Sequence, residues 1–307
     1  MKYPIDKSFF PFSHFAPPIR NVKTAGMMNS FIKPPFSLHR DAQVDICKEC
    51  FTDARGQTVE VFVMRPKNKD THGNGLVYIH GGGFFFDAAG YHYANAKQYA
   101  LQTPCTVVFV RYRLTPHVQF PVPFEDCYAA WLWTHKNADR LHMDKNKIAI
   151  GGDSAGGCLA AAVSLACRDK NAPLPCFQLL VYPVTDRRMN TESHRRFTDT
   201  PMWNSRLSVK MWDGYLPDKN IKDIAYASPL EAESFVGLPK TYVETAQFDC
   251  LHDEAVAYAQ ALQNAGCAVS LYETEGTMHG FDIVQKSPIV QQAVAKRIQF
   301  MKNAFED

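Results

Sequence analysis

After Pro66 the chain alternates short, nearly continuous apolar runs with segments of helix length, and few patterns restrict a fold as tightly. The runs are residues 76–79, 106–110, 147–150, 177–182, 241–245 and 269–272. Runs this short and this apolar suit strands buried on both faces of a parallel sheet. The segments between and after them, near 93–101, 124–136, 155–168, 253–264 and 288–305, read as helices. Crossovers between parallel strands are right-handed, so the alternation predicts an α/β fold: a mostly parallel central sheet with helices on both faces. Functional groups are then expected at the carboxyl ends of the strands. Residues 45–51 and 57–64 flank the turn Asp53-Ala54-Arg55-Gly56, and the alternation of Val59, Val61 and Val63 predicts an antiparallel hairpin that opens the sheet.

Two stretches break the rhythm: residues 1–44, and an insertion at about 186–226 rich in Arg, Asn, Thr and Trp. Both are candidates for a cap over the strand ends, with 45–307 as the main domain. A chain of 307 residues accommodates one large α/β domain with such an insertion.

Composition excludes several classes. With 46% apolar and 21% charged residues the chain is neither disordered nor fibrous. Its 33 basic and 31 acidic residues leave a net charge of +2. Without a run of Lys and Arg to track a phosphate backbone, no nucleic-acid partner is expected. The first 20 residues carry Phe9, Phe10, Pro11, Phe12, Pro17 and Pro18 in place of a basic flank and apolar leader. No window reaches the roughly 18 apolar residues of a membrane helix. The nine cysteines are scattered and odd in number, which fits reduced thiols, and a cytoplasmic location is expected. Cys47 and Cys50 form a C-x-x-C, but no second pair completes a metal site, so no metal is expected. They fall within an expected strand, as small buried hydrophobes.

Directly after the run at 147–150 stands Gly151-Gly152-Asp153-Ser154-Ala155-Gly156-Gly157, followed at once by the helical Cys158-Leu159-Ala160-Ala161-Ala162-Val163. This is G-x-S-x-G in a strand–turn–helix context, where a sharp turn presents a nucleophilic serine. The glycines at 152 and 156 leave room for a turn in which Ser154 takes a strained conformation. Ser154 also precedes a helix, so the Ala155 N–H can donate to an oxyanion. His80-Gly81-Gly82-Gly83 follows the run at 76–79 in the same way. Gly81, Gly82 and Gly83 there are candidates for the rest of the oxyanion hole, Gly82 and Gly83 the preferred donors. His80 is expected to brace this loop.

In folds that present a serine this way the partners follow in the order acid, then histidine. Asp249, Asp253 and Glu254 compete for the acid. The last two open an expected helix, where acids are favoured by the free N–H groups alone; Asp249 sits in the loop and is preferred. For the base, Glu275-Gly276-Thr277-Met278-His279-Gly280-Phe281 follows the final run, and its flanking glycines shape a loop around one imidazole. His279 is the candidate and His252 the alternative.

With these residues in view, the chain resembles the hormone-sensitive-lipase-like family of esterases, in its bacterial branch with the Gly-Asp-Ser-Ala-Gly elbow. The resemblance rests on His80-Gly81-Gly82-Gly83-Phe84, Tyr112-Arg113-Leu114 with Phe120-Pro121, the elbow, Ala227-Ser228-Pro229-Leu230, Asp249 with Asp253-Glu254, and His279-Gly280-Phe281. It implies an α/β-hydrolase fold with a helical cap from residues 1–44 and 186–226. It also implies a Ser154–His279–Asp249 triad, an oxyanion hole from the glycine loop and Ala155, no cofactor, no membrane association, a small-molecule ester substrate and a homodimer. Thr115-Pro116-His117, and Cys250 and His252 beside the acid, depart from the family pattern without removing a catalytic group. Phe84-Phe85-Phe86 would narrow an acyl pocket and favour short acyl groups such as acetyl, or else pack in the core. A non-catalytic binding member would lack part of the triad, whereas here all three residues are present in order. Amide, thioester and carbamate bonds are open to the same chemistry.

Overall fold

The computed structural model describes residues 2–17, 19, 29, 41–218 and 221–307. Eight strands form one sheet: β1 (Val44–Thr52), β2 (Thr58–Pro66), β3 (Gly75–Ile79), β4 (Thr106–Arg111), β5 (Ile148–Asp153), β6 (Phe177–Val181), β7 (Lys240–Phe248) and β8 (Val269–Met278). Their spatial order is β1-β2-β4-β3-β5-β6-β7-β8. β2 runs antiparallel to β1 and β4, and every other pair is parallel. β3, β5 and β6 are buried along their whole length, as their continuous apolar runs require.

The helices are α1 (Gly90–Gln102), α2 (Val122–Lys136), α3 (Ala138–Leu141), α4 (Ala155–Asp169), α5 (Glu192–Arg196), α6 (Ser205–Tyr215), α7 (His252–Asn264) and α8 (Pro288–Glu306). α1 packs with α8, and α2 packs with α4, so the sheet lies between two helical layers. α4 is the central helix: from Ala155 to Cys167 every residue is buried, and its run of alanines lets it lie close to β5 and β6. No described helix is long and apolar enough to cross a membrane.

β7 and β8 extend further than their apolar runs. Ala246, Gln247 and Phe248 continue β7, and Glu273 to Met278 continue β8. Asp249 and His279 therefore leave the sheet immediately at the ends of two neighbouring parallel strands. The insertion carries α5 and α6, and the described N-terminal residues lie against it. Tyr3 donates to Asp199 at 2.6 Å, Met202 N–H donates to Phe15 O at 2.6 Å, and Lys210 Nζ donates to Ile19 O at 2.5 Å. Of the expected cap segments, residues 1, 18, 20–28, 30–40 and 219–220 lie outside the described residues.

One expectation is corrected. Cys47 and Cys50 are exposed, because β1 is the edge of the sheet and neither of its faces is fully covered. All nine cysteines are free thiols.

Candidate active site

The turn after β5 holds Ser154 at φ 54°, ψ −120°. A side chain here costs about 1–3 kcal/mol and persists where the surroundings over-determine it. They do so here: Ser154 N–H donates to Val181 O at 2.9 Å, and its carbonyl accepts from Val184 and Cys158 N–H, both at 3.1 Å. The turn is tight enough that a Cβ on Gly156 would collide with the carbonyl oxygens of Ile79 and His80.

The loops after three strands meet at this point. His279 Nε2 lies 2.8 Å from Ser154 Oγ, and His279 Nδ1 lies 2.6 Å from Asp249 Oδ2. With Nδ1–H donating to the carboxylate, Nε2 is the acceptor for the serine hydroxyl. Asp249 is fully buried, and its other oxygen accepts the Leu251 N–H at 2.9 Å. The His279 ring sits edge-on to Tyr182, with centroids 4.9 Å apart. A serine, an imidazole and a buried carboxylate in this sequence form a proton relay suited to nucleophilic attack.

The rival candidates stand elsewhere. Asp253 opens α7 and accepts the Ser193 N–H at 2.8 Å. His252 pairs with Asp253 and with Glu273. Glu254 is fully buried and crosses to the segment after β6, where Oε1 accepts the N–H groups of Thr185 at 2.6 Å and Asp186 at 3.2 Å. Burial raises its pKa well above the usual carboxylate range.

Gly82 and Gly83 line the pocket in front of Ser154, and neither N–H has a protein acceptor among the described residues. Gly82 needs its φ of +120°, a region closed to side chains, so that its carbonyl can turn back and accept from Phe85 and Phe86. The expectation for Gly81 is corrected: its N–H donates to Asp153 Oδ1 at 3.1 Å, which leaves it no donor for the pocket. His80 braces the loop, with Nδ1 2.7 Å from Gly81 O and its ring stacked on Tyr112 at 4.6 Å. Burial, and then the nearness of His92, lower its pKa. Phe84 and Phe85 belong to the core, Phe84 stacked on Tyr215 at 3.7 Å, while Phe86 alone of the three faces the pocket.

Asp153, beside Ser154, has a part that the sequence reading missed. Its buried carboxylate accepts from Tyr78 at 2.7 Å and from the Gly81 N–H, and lies 3.1 Å from His92 Nε2. Because His92 Nδ1 accepts the Ala89 N–H at 2.8 Å, Nε2 carries the proton and donates. Burial alone would raise the pKa of Asp153, but the facing His92 and the Tyr78 hydroxyl hold it below its ordinary value. Asp153 thus ties the glycine loop to the elbow. The available signal was a carboxylate at the end of a fully apolar strand, which must find donors inside the protein. Asn29 left no such signal. Its amide donates to Phe85 O at 2.7 Å and accepts from Asp87 N–H at 2.9 Å, just beyond the glycines.

The pocket is a cavity of about 180 Å³. Trp203 from the insertion forms one wall, its ring close enough to Gly83 that a Cβ there would collide with it. Phe15, from the N-terminal segment, lines the pocket as well. Among the described residues no cluster of His, Cys, Asp and Glu has the arrangement of a metal site.

Known proteins share this arrangement of elements. The family described as alpha/beta hydrolase fold matches residues 76–283. Carboxylesterase NlhH of Mycobacterium tuberculosis is 32% identical over 234 residues, which span 75% of this chain and 73% of that protein. Ethyl acetate hydrolase of Pseudomonas putida is 30% identical over 246 residues, 79% of this chain and 76% of that protein. The structure of a bacterial heroin esterase superposes over 100% of both chains with a TM-score of 0.88 and 30% identity. The chain therefore belongs to the alpha/beta hydrolase fold family, among the esterases similar to hormone-sensitive lipase.

Proposed function

We propose that this protein is a serine carboxylesterase that cleaves esters of short acyl groups through an acyl-enzyme on Ser154. The observation that carries the reading is the pair of short contacts from Ser154 Oγ to His279 Nε2 and from His279 Nδ1 to Asp249 Oδ2. His279 takes the serine proton as Oγ attacks the ester carbonyl. Asp249 holds the imidazole tautomer and stabilises the imidazolium that forms. The N–H groups of Gly82, Gly83 and Ala155 receive the oxyanion. The alcohol leaves with a proton from His279, and water, activated by the same base, releases the acid.

The described parts of the N-terminal segment and of the 186–226 insertion act as a cap, in that Phe15, Met202 and Trp203 wall the pocket. The small cavity, narrowed by Phe86 and Trp203, supports short acyl groups, and one relative is named for a two-carbon acyl ester. Ser154→Ala is expected to lower kcat on p-nitrophenyl acetate by about 10⁴- to 10⁶-fold. Near-normal turnover by that variant would overturn the assignment. Across a series of p-nitrophenyl esters, rates are expected to fall with acyl length; a rise beyond about eight carbons contradicts the short-acyl reading.

A further inference from the structure

Most of the polar side chains that line the pocket are already engaged with the protein. The Asp87 carboxylate accepts from the Ala88 N–H at 2.8 Å and pairs with Arg111 through both oxygens. Both nitrogens of His92 are used, by Ala89 and Asp153. The Tyr182 hydroxyl donates to Asp282 at 2.7 Å, and Trp203 Nε1 donates to Ser208 at 3.0 Å. Apart from the reacting Ser154 and His279, the Tyr91 hydroxyl is the one side-chain group of the described lining without a protein partner. The remaining surface is largely aromatic: Phe15, Phe86, Tyr91, Tyr182 and Trp203 all border the cavity, with Met202 beside them.

From this we infer that the pocket selects esters in which a single aromatic ring is joined to a short acyl group, and that it excludes acetylated sugars. The inference rests on the esterase reading above and specifies its substrate class. Volume argues for one ring: an apolar cavity of about 150 Å³ holds a benzene molecule, and this one has about 180 Å³. Aromatic walls favour a flat π-surface in edge or offset contact, and a thioether such as Met202 adds to it. A sugar brings several hydroxyls, and beyond the Gly82 and Gly83 N–H groups, which receive the oxyanion, the described lining offers one polar side chain without a protein partner. Each hydroxyl buried without a hydrogen bond lowers affinity by about tenfold or more.

The test compares the wild-type enzyme on four acetates: benzyl, cyclohexylmethyl, ethyl and 6-O-acetylglucose. All four release a primary alcohol, so differences in leaving-group chemistry are small. The expected result is a kcat/KM for benzyl acetate at least about tenfold above that for ethyl acetate, carried mainly by KM. Cyclohexylmethyl acetate, as large but not flat, should fall between them, and the acetylated sugar below ethyl acetate. Phe15→Ala, at a half-exposed position on the pocket rim, should reduce the benzyl-to-ethyl ratio severalfold. Equal rates for benzyl and cyclohexylmethyl acetate, or a sugar ester as good as benzyl acetate, would overturn the aromatic assignment and leave the esterase reading standing. Failure of the wild-type enzyme to hydrolyse any of the four would remove the esterase reading itself.

Discussion

Asp249 and His279 show what a single side chain contributes at this site. An imidazole has two tautomers, and a base facing Ser154 is needed only in the one with its proton on Nδ1. The carboxylate of Asp249, 2.6 Å from that nitrogen, accepts and cannot donate, so it selects the useful tautomer. Asp249→Asn replaces an oxygen with an NH₂ group and allows the opposite tautomer at almost unchanged volume. It is expected to lower kcat by about 10⁴-fold with little change in KM or thermal stability. A kcat within tenfold of wild type would remove Asp249 from this role. At this scale the sequence was informative for Ser154, whose glycines and following helix are local features. It was less so for Asp249, since Asp253 and Glu254 carry the same functional group a few residues on. Their separation is a matter of direction: one carboxylate meets His279, another α5, the third the segment after β6.

Single residues that join two elements set the shape of the site. Glu254, on α7, holds the backbone at Thr185 and Asp186. Its pKa is raised by burial, so the folded state binds the proton more tightly than the unfolded chain, whose value is near 4.3. The stability linked to it is therefore complete below that value and declines as pH rises toward the raised one. Glu254→Gln keeps an accepting oxygen and has no charge to desolvate. The stability of this variant relative to wild type should increase between about pH 5 and 8, measured by urea unfolding; a difference constant with pH would show that Glu254 is ionised in both states. Asn29 joins the N-terminal segment to the loop beyond Gly82 and Gly83. Asn29→Ala leaves Phe85 O and Asp87 N–H without that partner and is expected to lower kcat about tenfold while changing KM less than twofold. An equal effect on kcat and thermal stability with unchanged kcat per folded molecule would make the contact purely structural. Neither contact was legible in the sequence, because an isolated Asn in a segment without periodicity has no pattern to reveal its partner.

Across the whole molecule, a buried charge network ties the end of the chain to the site. Arg297 on α8 pairs with Glu244 on β7 and with Asp282, and Asp282 in turn accepts the hydroxyl of Tyr182, which backs His279. Arg297 and both carboxylates are fully buried. Arg297→Leu would leave two acids without their counter-charge, at a cost of about 3–5 kcal/mol. The expected observation is a lower denaturant midpoint for the variant, while a loss under 1 kcal/mol would mean that the acids take up protons and the network adds little. The sequence by itself determined the alternation of strands and helices, the chain order of the loops and the turn at Ser154, because each depends on residues within one short window. Only the tertiary structure decided which acid meets the histidine, which glycine N–H groups remain free and what walls the pocket. Ser154 and His279 are 125 residues apart, and the packing that brings such distant groups together belongs to no local stretch of the chain.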